Sequence, residues 1–184
     1  MKNSPIKIIL VDDHQIVREG FKLILLLDEN FEVVGEAASA QELFHLIKTI
    51  TPDIFVLDIT LPGMNGIEIC KVLKEENIQA KVLFLTANND AMHIKHAIKS
   101  GADGFLPKDT SPEEFKTALT EIDKGNTYFS QKISGLIIKI MAHSLNGTLK
   151  EVELTLREVE IIKEIANGNS QKEVATNLNI SPRT

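Results

Sequence analysis

Five short apolar runs recur along roughly the first 120 residues, and each is followed by a stretch with helical spacing. The runs are Ile6–Val11, Phe31–Ala37, Ile54–Leu57, Lys81–Thr86 and Gly104–Leu106. The helical stretches run from Ile16 to Leu27, Ala40 to Ile50, Ile67 to Glu75, Ala91 to Ser100, and Ser111 to about Lys124. The first has its apolar positions at Ile16, Val17, Gly20, Phe21, Leu23, Ile24 and Leu27. The last opens with Ser111 as cap, Pro112 in the first turn and Glu114 three residues after the cap. A strand followed by a helix, five times over, predicts an α/β fold with a five-stranded parallel sheet and right-handed crossovers. Pro107 after the fifth run places that strand outermost, because a proline is tolerated at a sheet edge and not at its centre. The expected strand order is the flavodoxin-like 2-1-3-4-5.

The third run is the most informative. Ile54-Phe55-Val56-Leu57 reads as a strand buried on both faces. It delivers Asp58 directly into a turn-rich loop, Leu61-Pro62-Gly63-Met64-Asn65-Gly66. In open parallel sheets, ligands collect outside the carboxyl ends of the strands. Four further polar residues fall at those ends: Asp12 and Asp13 after the first run, Thr86 closing the fourth, and Lys108 after the fifth. Each alone has an ordinary explanation, as a cap, a strand threonine or a solvated lysine. Together they form a constellation. Clustered carboxylates repel unless a cation joins them, and Mg²⁺ is a hard ion that a few carboxylates hold with waters to spare. Lys108 adds a point charge and Thr86 a hydroxyl donor, so the set suits a phosphoryl group. The histidines have no partner at metal-ligand spacing in the sequence and read as surface or packing residues.

Beyond Gly125 the pattern changes. Gln131 to His143 reads as an apolar helix, and Ser144–Thr148 as a polar turn. Two capped helices follow, starting near Leu154-Thr155 and Ser170, with a third opening at Ser181-Pro182. The expected organisation is a domain over 1–124, a linker with a helix over 125–150, and a partial helix-turn-helix over 151–184. The formal net charge is −6. Residues 1–124 carry 13 Lys/Arg against 20 Asp/Glu, while residues 125–184 carry 7 against 6. A complete nucleic-acid module is usually more basic than that. The longest apolar segment, Leu23–Leu27, is far too short for a membrane span. No signal peptide is legible at the start, and the one cysteine, Cys70, excludes an internal disulfide or a cysteine metal site. A cytoplasmic protein is expected.

Ile9-Leu10-Val11-Asp12-Asp13-His14, Asp58 with Leu61–Gly66, Thr86-Ala87, and Gly104-Phe105-Leu106-Pro107-Lys108 together resemble the receiver domain of two-component response regulators. The resemblance implies a CheY-like fold in which Asp58 accepts a phosphoryl group from the phosphohistidine of a sensor histidine kinase. It implies Mg²⁺ held by Asp13 and Asp58 directly, with Asp12 assisting through water and the backbone carbonyl of Thr60 as a further ligand. Thr86 and Lys108 would bind the phosphate, and Phe105, where the family often carries tyrosine, would be the switch residue. Such a protein takes phosphate from small donors and loses it again, but is not a turnover enzyme. A Mg²⁺-dependent phosphatase is disfavoured because Asp58-Ile59-Thr60 lacks a second aspartate two residues after the first.

Leu154-Thr155, Arg157-Glu158, Ile165–Gly168, Lys172–Ala175, Leu178 and Ile180-Ser181 resemble the LuxR-type DNA-binding domain. A receiver followed by that domain is the NarL/FixJ architecture of phosphorylation-dependent transcription regulators. The sequence given stops at what the resemblance makes the first turn of the recognition helix. The expectation is therefore DNA binding by the full-length protein but not by this chain, with a phosphorylation-dependent homodimer as a further expected partner. A phosphorylation-switched regulator acting through protein contacts without DNA is the alternative.

Overall fold

The computed structural model describes residues 4–87, 91–130 and 133–134. The chain divides into two compact units, Met1–Ala142 and His143–Thr184. The second unit lies outside the described residues, and with it the expected helix-turn-helix. The expected helix from Gln131 to His143 is described only at Ile133 and Ser134, which are helical.

The first unit alternates strand and helix in the expected order: β1 (Ile6–Val11), α1 (Gln15–Leu26), β2 (Phe31–Ala37), α2 (Ala40–Leu46), β3 (Ile54–Asp58), α3 (Gly66–Glu75), β4 (Lys81–Thr86), α4 (Ala91–Lys99), β5 (Gly104–Pro107), α5 (Pro112–Asp123) and β6 (Tyr128–Phe129). All strands pair in parallel, in the order β2-β1-β3-β4-β5-β6. The five expected strands stand as the sequence predicts. The fifth, however, is not outermost. A two-residue strand adds to its far side, with Gly104 opposite Tyr128 and Phe105 opposite Phe129. Pro107 is compatible with this because β6 ends before reaching it, so its missing N–H faces no ladder. Close approach at this edge needs Gly104: a Cβ there would lie 2.6 Å from Ile122 Cδ1 and 2.9 Å from the Tyr128 carbonyl oxygen.

β3 is buried at all five positions, as its unbroken apolar run requires. On one face of the sheet, Ile8, Leu10, Ile54, Val56, Leu83, Leu85 and Leu106 pack with Phe21, Leu25, Phe115, Leu119 and Ile122 of α1 and α5. The Phe21 and Phe115 rings meet at 4.6 Å with a 55° tilt, tying those two helices together. Strand pleating sends Ile9, Phe55, Leu57, Phe84 and Phe105 to the opposite face, and all are buried.

Two helices differ in detail from the sequence reading. α2 stops at Leu46, four residues early, where Ile47 to Thr49 form turns and the Thr49 hydroxyl donates to the Leu46 carbonyl. α1 buries Phe21 and Leu25, whereas Ile16, Leu23, Leu26 and Leu27 are exposed. Of the apolar positions read from the helical spacing, Phe21 is buried and Val17 and Ile24 pack against the core, whereas Ile16, Leu23 and Leu27 face outward. The cap expected at Ser111 is present: its side chain accepts the Glu114 N–H at the head of α5. Asn65 with Glu68 forms a reciprocal capping box at the head of α3, which the sequence reading did not anticipate. Among the described residues no helix is long and apolar enough to cross a membrane.

Candidate functional site

The parallel sheet brings the carboxyl ends of β1, β3, β4 and β5 to one edge, and the predicted site residues gather there. Asp58 is the last residue of β3 and is 3% exposed. Asp12 follows β1 and is also buried, while Asp13 beside it is exposed. Lys108 follows β5. Its Nζ lies 2.9 Å from Asp58 Oδ2 in a hydrogen bond and 2.6 Å from Asp12 Oδ2 as a charge contact. Thr86 closes β4 and is buried, and its carbonyl accepts the Lys108 backbone N–H at 2.8 Å.

The loop after β3 is held by a glycine. A Cβ at Gly66 would lie 2.1 Å from the Asp58 carbonyl oxygen, so only glycine lets the start of α3 pass so close to the strand end. The Gly66 N–H donates to the Ile59 carbonyl at 2.9 Å and closes this turn.

The electrostatics express a conflict. Burial pushes the Asp58 carboxyl above its ordinary range, and the Asp12 charge adds to that. The Lys108 hydrogen bond and charge, and the Thr60 backbone N–H, pull the other way without cancelling it. Burial also opposes the charge on Lys108. Its hydrogen bonds and charge contacts to Asp12 and Asp58 outweigh that and raise the ammonium above its ordinary value. Lys108 thus acts as the resident counter-cation of two buried carboxylates.

Two residues at the site go beyond the sequence reading. His14, read from sequence as a surface or packing residue, is exposed but its ring lies among the carboxylates, with Nδ1 2.8 Å from Asp13 Oδ1 and 3.2 Å from Asp12 Oδ1. Its backbone N–H also donates to Asp12 Oδ1 at 2.9 Å, so this aspartate partly serves the cap role considered for it. Arg18, one turn into α1, donates from Nη1 to the Asp12 carbonyl and approaches Glu36 of β2. His14's adjacency to Asp12-Asp13 was the signal available in sequence. For Arg18 there was none, since its role depends on which face of α1 turns inward.

Ligand atoms of Asp12, Asp13, His14 and Asp58 all lie within 4.8 Å of one another, a spacing that one metal ion can bridge. The donor set is carboxylate oxygen plus one imidazole nitrogen, and the buried Asp58 and Asp12 charges are those a divalent cation relieves. The residues fit a metal ion.

Residues 8–120 match the response regulator receiver domain family, and residues 152–184 match the LuxR family of bacterial regulatory proteins. The chain belongs to the response regulators. A nitrate/nitrite response regulator homologue from Haemophilus influenzae is 35% identical over 97% of this chain and 84% of its own. The nitrate/nitrite response regulator NarL of Escherichia coli is 33% identical over 98% and 84%. Among solved structures, a LuxR-family two-component response regulator from Aurantimonas superposes with a TM-score of 0.71 at 35% identity, over 76% of this chain and 99% of that one. The RcsB response regulator of Salmonella typhimurium gives 0.71 at 26% identity, over 98% and 86%. This response regulator therefore joins a receiver to a LuxR-type DNA-binding domain, the composition of a transcription regulator. It is a signalling protein and not a metabolic enzyme. The alternative reading without a DNA-binding function finds no support in these relatives.

Proposed function

We propose that Asp58 is the phosphoacceptor of this receiver and that its phosphorylation by a sensor histidine kinase controls the LuxR-type domain. The observation that carries this is the placement of Asp58: a buried carboxylate at the end of the central strand, facing Lys108 and flanked by Asp12 and Asp13. In the proposed transfer an Asp58 carboxylate oxygen forms a new bond to phosphorus. The bond from phosphorus to the donor imidazole nitrogen breaks, and that nitrogen keeps the electron pair and takes a proton. Lys108 follows the growing negative charge from the carboxylate onto the phosphoryl oxygens, and the Thr86 hydroxyl donates to one of them. Mg²⁺, held by Asp13 and Asp58 with Asp12 and the Thr60 carbonyl in support, would neutralise charge between acceptor and phosphate. Phosphorylation from small donors and slow loss of the phosphate belong to the same reading.

The switch is proposed to run from Thr86 to Phe105. Register and pleat support it, because Phe105 pairs with Phe84, and Thr86 follows Phe84 by two on the same face. The Phe84 and Phe105 rings lie 6.2 Å apart in this packed layer. A phosphate that draws the Thr86 hydroxyl repacks its neighbour. DNA is the proposed target of the complete LuxR-type domain, as in the relative whose structure is an RcsB–DNA complex. A phosphorylation-promoted dimer is also proposed, through the α1 face. Among the described residues, four of the five large exposed apolar side chains lie at α1 or its cap: Ile16, Leu23, Leu26 and Leu27. The location is proposed as cytoplasmic, in keeping with these partners.

The test is radiolabelled phosphotransfer from a small phosphodonor with Mg²⁺. The wild type takes up one base-labile label, and Asp58→Asn takes up none. Equal labelling of the two would sink the assignment. Light scattering of the labelled protein should show a mass increase that Leu26→Lys abolishes; an unchanged mass on phosphorylation would overturn the dimer.

A further inference from the structure

Asp12 and Asp13 reach the cleft from the two sides of one peptide bond, and both backbone groups of Asp12 are held. Its N–H donates to the Ala37 carbonyl at the end of β2, at 3.1 Å. Its carbonyl accepts Nη1 of Arg18, which stands one turn into α1. A peptide unit is planar, so the direction of the Asp12 carbonyl sets the plane from which Asp13 departs. The Asp12 carboxylate is buried and already engaged, by Lys108 on Oδ2 and by the His14 N–H on Oδ1. Asp13 is exposed, and its carboxylate depends more on how the backbone presents it.

Arg18 is poorly placed for stability alone. Its side chain is 15% exposed, and the small cavity beside it is lined by Leu10, Val17, Phe21, Val56 and Leu85. Among the described residues its buried Nε finds no hydrogen-bond acceptor. Glu36 of β2 lies 3.8 Å from Nε, a charge contact, and the same carboxylate also takes the Lys22 ammonium. A guanidinium withdrawn from water with one donor unsatisfied is destabilising, and an apolar side chain of similar length would pack there at least as well. The guanidinium does one thing that such a side chain cannot. It spans from Glu36, opposite Leu10 in the strand ladder, to the carbonyl that follows β1. A planar fork serves both partners at once, whereas a point charge does not.

We infer that Arg18 is a positioning residue for the phosphoacceptor site: by holding the Asp12 carbonyl it sets the direction in which Asp13 meets the cation. It acts through the backbone and contacts neither the ion nor the phosphate. The inference rests on the proposed Asp58 site and its Mg²⁺. Loss of Arg18 therefore falls on Mg²⁺ affinity, and little on the transfer once the ion is bound, because Asp58 and Lys108 are untouched.

Calorimetric titration of the whole chain with Mg²⁺ tests it, together with labelling by phosphoramidate across Mg²⁺ concentrations and urea unfolding without the ion, on wild type, Arg18→Met and Arg18→Lys. Arg18→Met should weaken Mg²⁺ binding by about tenfold or more and raise the Mg²⁺ concentration for half-maximal labelling by the same factor. Its labelling rate at saturating Mg²⁺ should change little, and its urea midpoint should hold or rise. Arg18→Lys keeps the charge without the fork and should leave the affinity as low. Unchanged Mg²⁺ affinity in Arg18→Met makes Arg18 a tether of α1 alone and overturns the inference. Full rescue by Arg18→Lys overturns it too, since charge would then suffice, and so does an affinity loss that comes with a lowered urea midpoint. A wild type that binds Mg²⁺ but takes no label sinks the phosphoacceptor reading instead, and the calorimetry of the variants still decides the role of Arg18.

Discussion

At the level of single residues the cleft holds more negative charge than its burial favours. Asp58 has its carboxyl raised, mainly by burial. A raised folded-state pKa favours the fold while the group is protonated in both states, and that contribution is lost as pH rises through the raised value. Asp58→Asn should therefore raise the thermal midpoint at pH 7. The gain should fade below about pH 4, where the unfolded-state carboxyl also protonates. Melting curves across pH 3–8 (roughly the range set by the reference carboxylate and histidine values) check this; an unchanged or lower midpoint at pH 7 would contradict it. Lys108→Ala acts in the opposite sense, since it strands the buried Asp12 and Asp58 without their cation. The expected cost is about 3 kcal/mol in urea unfolding at pH 7. Mg²⁺ should stabilise this variant more than the wild type, because the ion takes over the neutralising role. The strand-end residues Asp12, Asp13, Asp58, Thr86 and Lys108 were legible in sequence because each closes an apolar run or lies within two residues of its end. Arg18 was not, because its contact with the Asp12 carbonyl depends on where the first turn of α1 points once it packs.

At the level of elements, legibility followed the strength of the local signal. β1 to β4 begin or end at polar or turn residues, so their limits could be read within a residue. β6 is two residues long, too short for any periodicity, and exists only because Gly104 lets it approach. α1 shows a different failure. It is apolar around so much of its circumference that spacing identifies a helix without choosing its inner face. The consequence is measurable. Leu25→Ala should cost about 2–5 kcal/mol, the range for a buried leucine. Leu27→Ala, expected from spacing to lie inside but 80% exposed, should change stability by under about 0.5 kcal/mol. Urea midpoints of the two variants decide; equal costs would show that the helix face is wrongly placed. In the same way Gly66→Ala should destabilise by about 1–3 kcal/mol, because its Cβ meets backbone at the Asp58 carbonyl and nothing there can swing aside.

At the level of the whole molecule, the alternation of strands and helices set the architecture, and the strand-end residues Asp12, Asp13, Asp58 and Lys108 stand together as their places in the sequence imply. The least legible property was where the first unit stops. A limit at residue 124 follows from the glycine after α5, since Gly125 has φ +90° and does end the helix. The chain then turns back onto the sheet. The Tyr128 N–H donates to the Asp103 carbonyl at 3.0 Å, the Ser130 N–H to the Phe105 carbonyl at 3.3 Å, and the Ser130 hydroxyl accepts the Ile133 N–H. The segment that leads out of the receiver is thus bonded to the backbone of Phe105. This bears on how regulators of this composition can be recombined. A chimaera joined at Gly125 would strip β5 of its neighbour, bare an aggregation-prone edge and cut the output segment away from the strand beside the proposed phosphate site. A seam placed after Ser134 would carry β6 with the receiver. Of two otherwise identical fusions, the later seam should give the soluble protein whose output still answers to phosphorylation; equal behaviour of both would reduce β6 to an ornament of the sheet.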